Sequence, residues 1–595
     1  MSKKYAFLAF LVIMALASFL RLWEIKTIPP GFSYDESMYA NNAVEAWETG
    51  PPAGGFKMFY AENNGREGLW INMLAPVLSF FGENEPRVSR TFAAIFGILT
   101  VFGLYFLTKT LFNSERIALL SSFFMATSFW HINFSRIGFR AILVPFFLVW
   151  SFYFLWKTLA EKINFSSRAF IYKNIKDPTS NPKEEKSIFP PLVFTIISGL
   201  LFGLGFHTYI SFRVAPLLLI IPFILMWRNK QKKLIFVFLF FAFIIALPIG
   251  LYFLQNPQDF LGRSSQISIF AGQSPTLALG FNIVKTVGMF FVWGDSNWRH
   301  NLSGAPELWW PTAILFLIGI IAGLNNIAKN SKHEARNTKQ YQNSNIENSK
   351  QFRIWDFKNW NLFRISNFGF RILFLFSWLV VLLIPAVISS EGLPHALRSI
   401  GVIPAAMILA AIGLEWIIVK VLNWHQKKLE KFPEHSCQLM RIKKQLTALL
   451  FIFLAAIAVN SFNQYFFRWA KNPRVADAFD ENYVQLGKYL NSLPQDLPKY
   501  IIMNCDRNMF CDNPDQPPVI MFITKTYIPD WRAKNNIFYI NPSQMNPFID
   551  EANRRKHVVI TMLDVDHALR AYLKEKIPNL NIISSQDFGV ISLYK

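Results

Sequence analysis

Long apolar blocks separated by polar loops dominate the hydropathy pattern of this chain of 595 residues. A helix needs about 20 mostly apolar residues to cross about 30 Å of hydrocarbon. The pattern therefore predicts a mainly α fold, a polytopic bundle of about eleven transmembrane helices. The predicted spans are residues 5–22, 91–108, 117–130, 141–156, 190–206, 214–227, 234–254, 311–324, 372–388, 400–422 and 446–459.

The apolar segment 69–81 decides the predicted topology, because with 13 residues it is short for a span. Interpreted as a helix in the membrane interface, it leaves the basic loops 157–189 and 328–371 in the cytoplasm, as the positive-inside rule requires. Counted as a span, it would invert every basic loop. We therefore expect a cytoplasmic N-terminus, an outer loop at about 23–90, and insertion in the plasma (inner) membrane.

The hydropathy pattern changes in the tail, at about residues 470–595. Apolar runs shrink to a few residues and alternate with polar, helix-like stretches, which is typical of a small α/β domain. The predicted organisation is a transmembrane domain at 1–460 and a soluble, extracytoplasmic α/β domain at 470–595. Cys505 and Cys511 lie in this domain, and their spacing alone leaves open whether they form a disulfide.

Composition and charge exclude several other classes of protein. The chain is 52% hydrophobic and only 16% charged, and its formal net charge is +22. Lys and Arg concentrate in a few loops, so we expect the lipid bilayer and not nucleic acid to account for the charge. Three cysteines exclude a disulfide-rich scaffold and a thiolate metal cluster.

Polar residues of the predicted outer loops divide by type: carboxylates dominate the first loop, while Arg and His dominate the others. This division suits transfer of a sugar from a phosphate-linked donor. Forked Arg side chains neutralise the phosphate, and a carboxylate acts as the general base on the acceptor. The candidates are Asp35, Glu36, Tyr39, Glu62, Glu67, Arg136, Arg140, His207, Tyr209, Arg213, His300, His395 and Arg398.

Structural explanations exist for the same residues. Asp35 and Glu36 favour the first turn of a helix, and Arg136 and Arg140 suit lipid headgroups. His207 is typical of a satisfied polar residue at a helix end. Glu62 and Glu67 have potential ion-pair partners in Lys57 and Arg66.

An Asp-Glu pair, Asp35–Glu36, shortly after the first span and in a long outer loop resembles the GT-C superfamily of polyprenyl-phosphate-dependent glycosyltransferases. The nearest resemblance is to its protein O-mannosyltransferase and aminoarabinose-transferase branch. It covers about residues 1–460 and rests on the stretches 32–39, 64–69, 130–140 and 394–404.

The resemblance implies catalysis by Asp35 with its neighbour Glu36. It also implies a donor phosphate near Arg136 and Arg140, with Arg213 and Arg398 as further phosphate-binding candidates. The substrate-binding candidates are Tyr39, Glu62, Glu67, Tyr209, His300 and His395. Some relatives bind a divalent metal ion, for which Glu62, Glu67 and His207 are the positional candidates. Residues 130–140 lack a second acidic residue that several relatives carry, which favours a metal-independent enzyme.

The predicted function is a membrane glycosyltransferase that moves a hexosyl or pentosyl group from a polyprenyl-phosphate donor. The acceptor is a protein, lipid or glycan on the extracytoplasmic face, and the configuration is inverted. Two alternatives stay open: a flippase or transporter for lipid-linked glycans, and a polymerase or ligase that uses a lipid-diphosphate oligosaccharide. Charges gathered at one face and the lack of a visible repeat favour the transferase over a transporter.

Overall fold

The computed structural model describes residues 2–50, 55–62, 65–82, 84–160, 190–272, 274–342, 367–504, 517–564, 566–578, 580–584 and 591–594. Two compact units account for the chain. We call Met1–Arg21, Phe96–Phe134 and Ala141–Gln464 the helical unit, and Leu22–Ile95, Ser135–Arg140 and Tyr465–Lys595 the mixed unit. The predicted cytoplasmic loops 157–189 and 328–371 lie largely outside the described residues, as do Cys505 and Cys511.

Helices make up most of the described chain. In chain order they are α1 (Lys3–Leu22), α2 (Tyr34–Glu48), α3 (Leu69–Phe81), α4 (Pro86–Phe112), α5 (Glu115–Ala126), α6 (Phe129–Arg136), α7 (Leu143–Ala160), α8 (Pro191–Gly205), α9 (Ile220–Arg228), α10 (Lys232–Gln255), α11 (Pro257–Gln266), α12 (Pro275–Gly288), α13 (Trp310–Gln342), α14 (Asn367–Val387), α15 (Ile403–Lys431), α16 (Ser436–Asn463), α17 (Pro473–Ala478), α18 (Glu481–Ser492), α19 (Pro518–Thr524), α20 (Pro529–Lys534), α21 (Met545–Arg554) and α22 (His567–Lys576).

Nine helical segments of the described residues are long and apolar enough to cross a membrane, and the prediction of a polytopic helix bundle is confirmed. A tenth candidate is the pair α5 and α6, which bends by 58° at its break. The remaining predicted span, at 190–206, corresponds to α8, which has only 15 residues. The segment at 69–81 forms α3, a helix of 13 residues.

A buried arginine stabilises the bend between α5 and α6 in the helical unit. Arg21 is fully buried and donates hydrogen bonds to the carbonyl oxygens of Met125 and Ala126, each at 3.1 Å. Its Nη2 also lies 2.6 Å from Nδ1 of His131. A helix break leaves carbonyl oxygens without helical partners, and these side-chain donors satisfy two of them.

Two glycines allow α13 and α15 to pack closely within the helical unit. A Cβ atom at Gly319 would lie 1.9 Å from the Leu409 carbonyl oxygen, and one at Gly413 would lie 2.0 Å from that of Leu315. Small residues commonly permit such close approach between membrane helices.

The mixed unit contains two sheets. Strands β1 (Phe59–Tyr60) and β2 (Arg66–Glu67) form an antiparallel hairpin. Strands β3 (Lys499–Ile502), β4 (Ile537–Ile540), β5 (Val559–Met562), β6 (Asn581–Ser584) and β7 (Ile591–Tyr594) form a mixed sheet in the order β4-β3-β5-β7-β6. Tyr500, Ile502, Ile560 and Met562 of this sheet are buried against Phe548 and Leu573 of flanking helices.

The mixed unit differs from the division expected at residues 460–470, because it also includes residues from the first predicted outer loop. Asn41 donates a hydrogen bond to the Pro518 carbonyl oxygen at 2.8 Å, and the Tyr34 amide donates to Asp480 Oδ2 at 3.0 Å. Helix α2 therefore packs with the C-terminal part of the chain. Hydropathy does not reveal such pairings, since they join segments more than 400 residues apart.

Candidate active site

The first turn of α2 is held by the carboxylate of Glu36. Its Oε2 accepts hydrogen bonds from the amide and the hydroxyl of Ser33, at 3.2 and 3.0 Å. Arg90 donates to both carboxylate oxygens, at 3.1 and 3.3 Å. Glu36 is fully buried, and the Gly138 amide also donates to its Oε1 at 2.8 Å. These five contacts occupy the carboxylate and fix the start of the helix.

Arg90 extends the same network to the residues before α2. It donates to the carbonyl oxygens of Pro29 and Gly31, at 2.6 and 2.9 Å. Buried charges are stable when they are paired and hydrogen-bonded, and the pair of Arg90 and Glu36 meets both conditions. Asp35, adjacent to Glu36, is half-buried on the first turn of α2.

Tyr39 lies one turn after Asp35, and two arginines flank its ring. The guanidinium carbon of Arg66 lies 5.4 Å from the ring centroid, and that of Arg140 lies 5.7 Å from it. Arg66 comes from strand β2 and Arg140 from the segment that includes Gly138. The mixed unit thus brings the predicted residues Asp35, Tyr39 and Arg140 into one region.

Arg66 has unused hydrogen-bonding capacity. Its Nε donates to the Glu62 carbonyl oxygen at 3.1 Å, and its Nη2 lies 3.6 Å from Glu62 Oε2. Nη1 and Nη2 are buried and have no hydrogen-bond partner among the described residues. Burial is the main cause that lowers the pKa of Arg66, and repulsion by Arg140 lowers it further. A buried fork of unused N–H donors beside a second guanidinium is suited to bind an anion.

The sequence interpretation missed this role of Arg66, because it considered the residue only as an ion-pair partner. Glu62 and Glu67 contact different arginines. Glu62 accompanies Arg66, while Glu67 Oε2 lies 3.3 Å from Arg140 Nη2. The signal available was the position of Arg66 between these carboxylates, but only the contacts in the folded chain show that its Nη atoms lack a hydrogen-bond partner among the described residues.

Arg136 belongs to a different environment within the mixed unit. Its Nη2 donates to the Ile28 carbonyl oxygen at 2.9 Å, and its guanidinium lies 5.3 and 4.9 Å from the ring centroids of Tyr465 and Phe466. These contacts anchor the chain segments around it.

The remaining candidates belong to the helical unit. Arg213 donates to the Phe260 carbonyl oxygen at 2.8 Å and borders a mainly apolar cavity of 610 Å³. His207 Nε2 lies 2.7 Å from the Ile245 carbonyl oxygen. Arg398 donates to Ser389 Oγ and to the Glu391 carbonyl oxygen. Tyr209 immediately precedes a 3₁₀ helix, Ile210–Leu219, and is half-buried.

His300 and His395, also in the helical unit, converge on a carboxylate that was not among the site candidates. Their rings stack at 5.1 Å, and both Nδ1 atoms face Oδ2 of Asp295. Burial alone would raise the pKa of Asp295, but the two imidazoles outweigh it and lower this pKa.

The fold can be compared with known structures, although no protein-family model matches the sequence and no curated protein matches it closely. ArnT from Cupriavidus metallidurans bound to undecaprenyl phosphate is similar, with a TM-score of 0.54 and 11% identity over 100% of this chain and 98% of that chain. The apo state of the same protein gives a TM-score of 0.50 and 12% identity over 98% and 97%. AglB, an archaeal oligosaccharyltransferase from Archaeoglobus fulgidus in complex with an inhibitory peptide and a dolichol-phosphate, gives 0.42 and 12% over 92% and 71%.

These solved structures belong to the GT-C superfamily. The similarity to ArnT extends over nearly the full length of both chains. The predicted fold class, a GT-C-like bundle of membrane helices, is therefore confirmed.

Proposed function

We propose that this membrane protein transfers a sugar from a polyprenyl-phosphate-linked donor to the hydroxyl or amine of an acceptor. One observation carries the proposal: the buried, unused guanidinium fork of Arg66 lies beside Arg140, in the region of the mixed unit that also carries Asp35. The similarity of the fold to ArnT bound to undecaprenyl phosphate supports a lipid-phosphate donor.

Arg66 and Arg140 bind the donor phosphate in this proposal. The Nη1 and Nη2 atoms of Arg66 form a fork that matches two phosphate oxygens, and Arg140 adds a second positive charge. Tyr39 packs against both guanidiniums and keeps them oriented. Charge developing on the leaving phosphate is then stabilised by donors that are already in place.

Asp35 is the general base, and Glu36 positions it. The carboxylate of Glu36 is occupied by Ser33, Arg90 and Gly138, which makes it unsuitable for proton transfer. It holds the first turn of α2, so the half-buried Asp35 carboxylate is presented at a defined position.

The proposed reaction is a single displacement. Asp35 takes the proton of the acceptor hydroxyl or amine, whose lone pair forms a bond to the anomeric carbon of the sugar. The bond between that carbon and the phosphate oxygen breaks, and the electron pair leaves with the lipid phosphate bound by Arg66 and Arg140. Attack opposite the leaving group inverts the anomeric configuration. The low share of Lys and Arg in residues 23–90, compared with the basic loops, supports catalysis on the extracytoplasmic face.

Roles for the other candidates follow from their contacts. Arg136 and Arg398 donate to backbone carbonyl oxygens, and we assign them to positioning of the chain. Glu62 and Glu67 accompany the phosphate-binding arginines. The proposed reaction has no metal-dependent step, so it assigns no metal-binding role to Glu62, Glu67 or His207. His207 contacts a carbonyl oxygen.

The test uses the variant Asp35→Asn in the full-length protein. Membranes that contain the wild type or this variant receive a radiolabelled polyprenyl-phosphate monosaccharide or, separately, a lipid-diphosphate oligosaccharide. We expect transfer from the monophosphate donor only, and a loss of about 10²–10⁴-fold in the variant at unchanged insertion. The exposed Asp530 provides the matched control Asp530→Asn, which should transfer at the wild-type rate. Wild-type transfer by Asp35→Asn would exclude the assigned base.

A further inference from the structure

Two loops of the helical unit bring three potential metal ligands together. Asp295 and His300 lie between α12 and α13, and His395 lies between α14 and α15. Asp295 Oδ2 is 3.0 Å from His300 Nδ1 and 3.7 Å from His395 Nδ1. The three ligand atoms lie within 4.8 Å of one another, and no other group of three or more such side chains occurs among the described residues.

We propose that Asp295, His300 and His395 bind a divalent first-row transition metal ion such as Zn²⁺. Metal–ligand bonds of about 2.0–2.1 Å at tetrahedral angles place neighbouring ligand atoms about 3.3 Å apart. The distances of 3.0 and 3.7 Å to the carboxylate oxygen lie on either side of this value. A small movement of the two side chains therefore completes the site.

The ligands are held in place by further contacts. The amide of Ala396 donates to Asp295 Oδ2 at 2.9 Å, and that of Asn297 donates to Oδ1 at 2.8 Å. The Asp295 amide in turn donates to Glu307 Oε1 at 3.0 Å. Such outer-shell hydrogen bonds orient metal ligands and limit the entropy lost when the ion binds.

The contacts of His395 also favour a cation at this position. The Arg398 amide donates to His395 Nδ1, so this nitrogen is an acceptor and carries a lone pair. This lone pair and the Asp295 Oδ2 atom lie 3.7 Å apart, so both can be directed at one bound cation. The amide contact is long, at 3.4 Å, and is the interaction that the metal would replace.

The donor set identifies the class of ion. Two imidazole nitrogens and one carboxylate suit Zn²⁺, Fe²⁺, Co²⁺ or Mn²⁺, whereas Mg²⁺ and Ca²⁺ prefer oxygen ligands. Three protein ligands leave a fourth tetrahedral position for water. The His395 side chain is 13% exposed, which leaves a route for the ion to enter. Bound metal joins the two loops and so stabilises the fold.

The experiment uses the full-length protein in detergent, purified with an affinity tag that contains no histidine and treated with EDTA. Zn²⁺ binding is measured by titration calorimetry, and Co²⁺ binding by its visible absorption. We expect one Zn²⁺ per chain, a higher unfolding temperature with Zn²⁺, and a tetrahedral Co²⁺ spectrum. His300→Gln and His395→Gln should each weaken Zn²⁺ binding by at least about 100-fold, more than loss of an outer-shell partner costs.

His207→Gln is the matched control, because His207 lies in the same unit but outside the group of Asp295, His300 and His395, and its Nε2 lies 2.7 Å from the Ile245 carbonyl oxygen. It should bind Zn²⁺ like the wild type. Absence of stoichiometric Zn²⁺ binding by the wild type would overturn the proposal. Wild-type affinity in both ligand variants, each shown to be folded by circular dichroism, would overturn it as well. Neither readout depends on sugar transfer, so this site can fail while the proposed function holds.

Discussion

The carboxylate of Glu36 accepts a hydrogen bond from the Gly138 amide at 2.8 Å, across 102 residues of sequence. This contact ties the start of α2 to the segment that carries Arg140. A Cβ atom at Gly138 would lie 3.2 Å from that of Ser89 and 3.5 Å from Glu36 Oε1, so the approach is close. The positions of Asp35 and Arg140 in the proposed site therefore depend on one buried glutamate.

Replacement of Glu36 should lower the stability of the fold, since Glu36 positions other residues and takes no part in proton transfer. Glu36→Gln leaves the buried Arg90 without its counter-charge, and loss of one partner of a buried ion pair costs about 3–5 kcal/mol. We expect a lower unfolding temperature in detergent. The exposed Glu48, on the same helix, provides the control Glu48→Gln, which should unfold like the wild type. Equal unfolding temperatures for both variants would contradict the positioning role.

Arg66 and Arg90 are both buried, but we expect a much larger loss of stability when Arg90 is replaced. Arg90→Gln removes four hydrogen bonds and the partner of Glu36, so it should destabilise the fold. Arg66→Gln removes one hydrogen bond, a contact with the partly exposed Glu62, and a charge whose Nη atoms have no hydrogen-bond partner among the described residues, so stability should change by only about 1 kcal/mol or less. Unfolding temperatures of the two variants measure this difference.

The donor affinity should depend on the fork of Arg66. Arg66→Lys keeps the charge but loses the bidentate geometry, and a hydrogen bond to a charged group contributes about 1.5–3 kcal/mol. The KM for the lipid-phosphate donor should therefore rise by about 10- to 100-fold. Arg87→Lys, at an exposed position nearby in sequence, is the control. An unchanged KM in Arg66→Lys would remove this residue from the phosphate site.

The raised pKa of Glu45 predicts that the stability of the fold depends on pH. Burial is the main cause that raises its pKa in the folded protein, and Glu62 adds to the shift. A carboxyl group with a raised pKa destabilises the fold once it ionises, so its unfavourable contribution appears as pH rises above 4.5, the ordinary pKa of the group. Glu45→Gln should raise the free energy of unfolding at pH 7 by at most about 1 kcal/mol, since solvent screens this half-buried group.

The gain from Glu45→Gln should vanish below pH 4.5, where the wild-type carboxyl group is protonated in both states. Unfolding measured between pH 4 and pH 8 tests the sign. A gain that is the same at both ends would show that charge is not its cause.

Glycine-to-alanine exchanges test the crossing of α13 and α15. Gly413→Ala places a methyl group against the Leu315 carbonyl oxygen and should cost roughly 1–3 kcal/mol, because neither backbone can yield freely. A Cβ atom at Gly250, in α10, meets nothing within 4 Å. Gly250→Ala should therefore stabilise its helix by about 0.5–1 kcal/mol. Opposite shifts in unfolding temperature are expected for the two variants.

Sequence patterns predicted the helix bundle, the helix at Leu69–Phe81 and a stretch of short strands in the tail. These features depend on local hydropathy, which is set by residues that are close together in the sequence. The predicted span at 117–130 covers most of α5 and only the first two residues of α6, because composition does not show where a chain turns. Arg21 satisfies the carbonyl oxygens at that bend from 104 and 105 residues away.

The sequence by itself determined the class of protein and the loops in which the candidate chemistry lies, since burial of apolar segments in lipid depends on composition and length. Only the tertiary structure decided which of the candidate side chains have their hydrogen-bonding atoms occupied by other groups of the chain. Glu36, Arg136 and Arg398 are hydrogen-bonded to partners far along the chain or to backbone oxygens, whereas the Nη atoms of Arg66 have no hydrogen-bond partner among the residues that the structure describes. That distinction arises from long-range contacts, which no local pattern encodes.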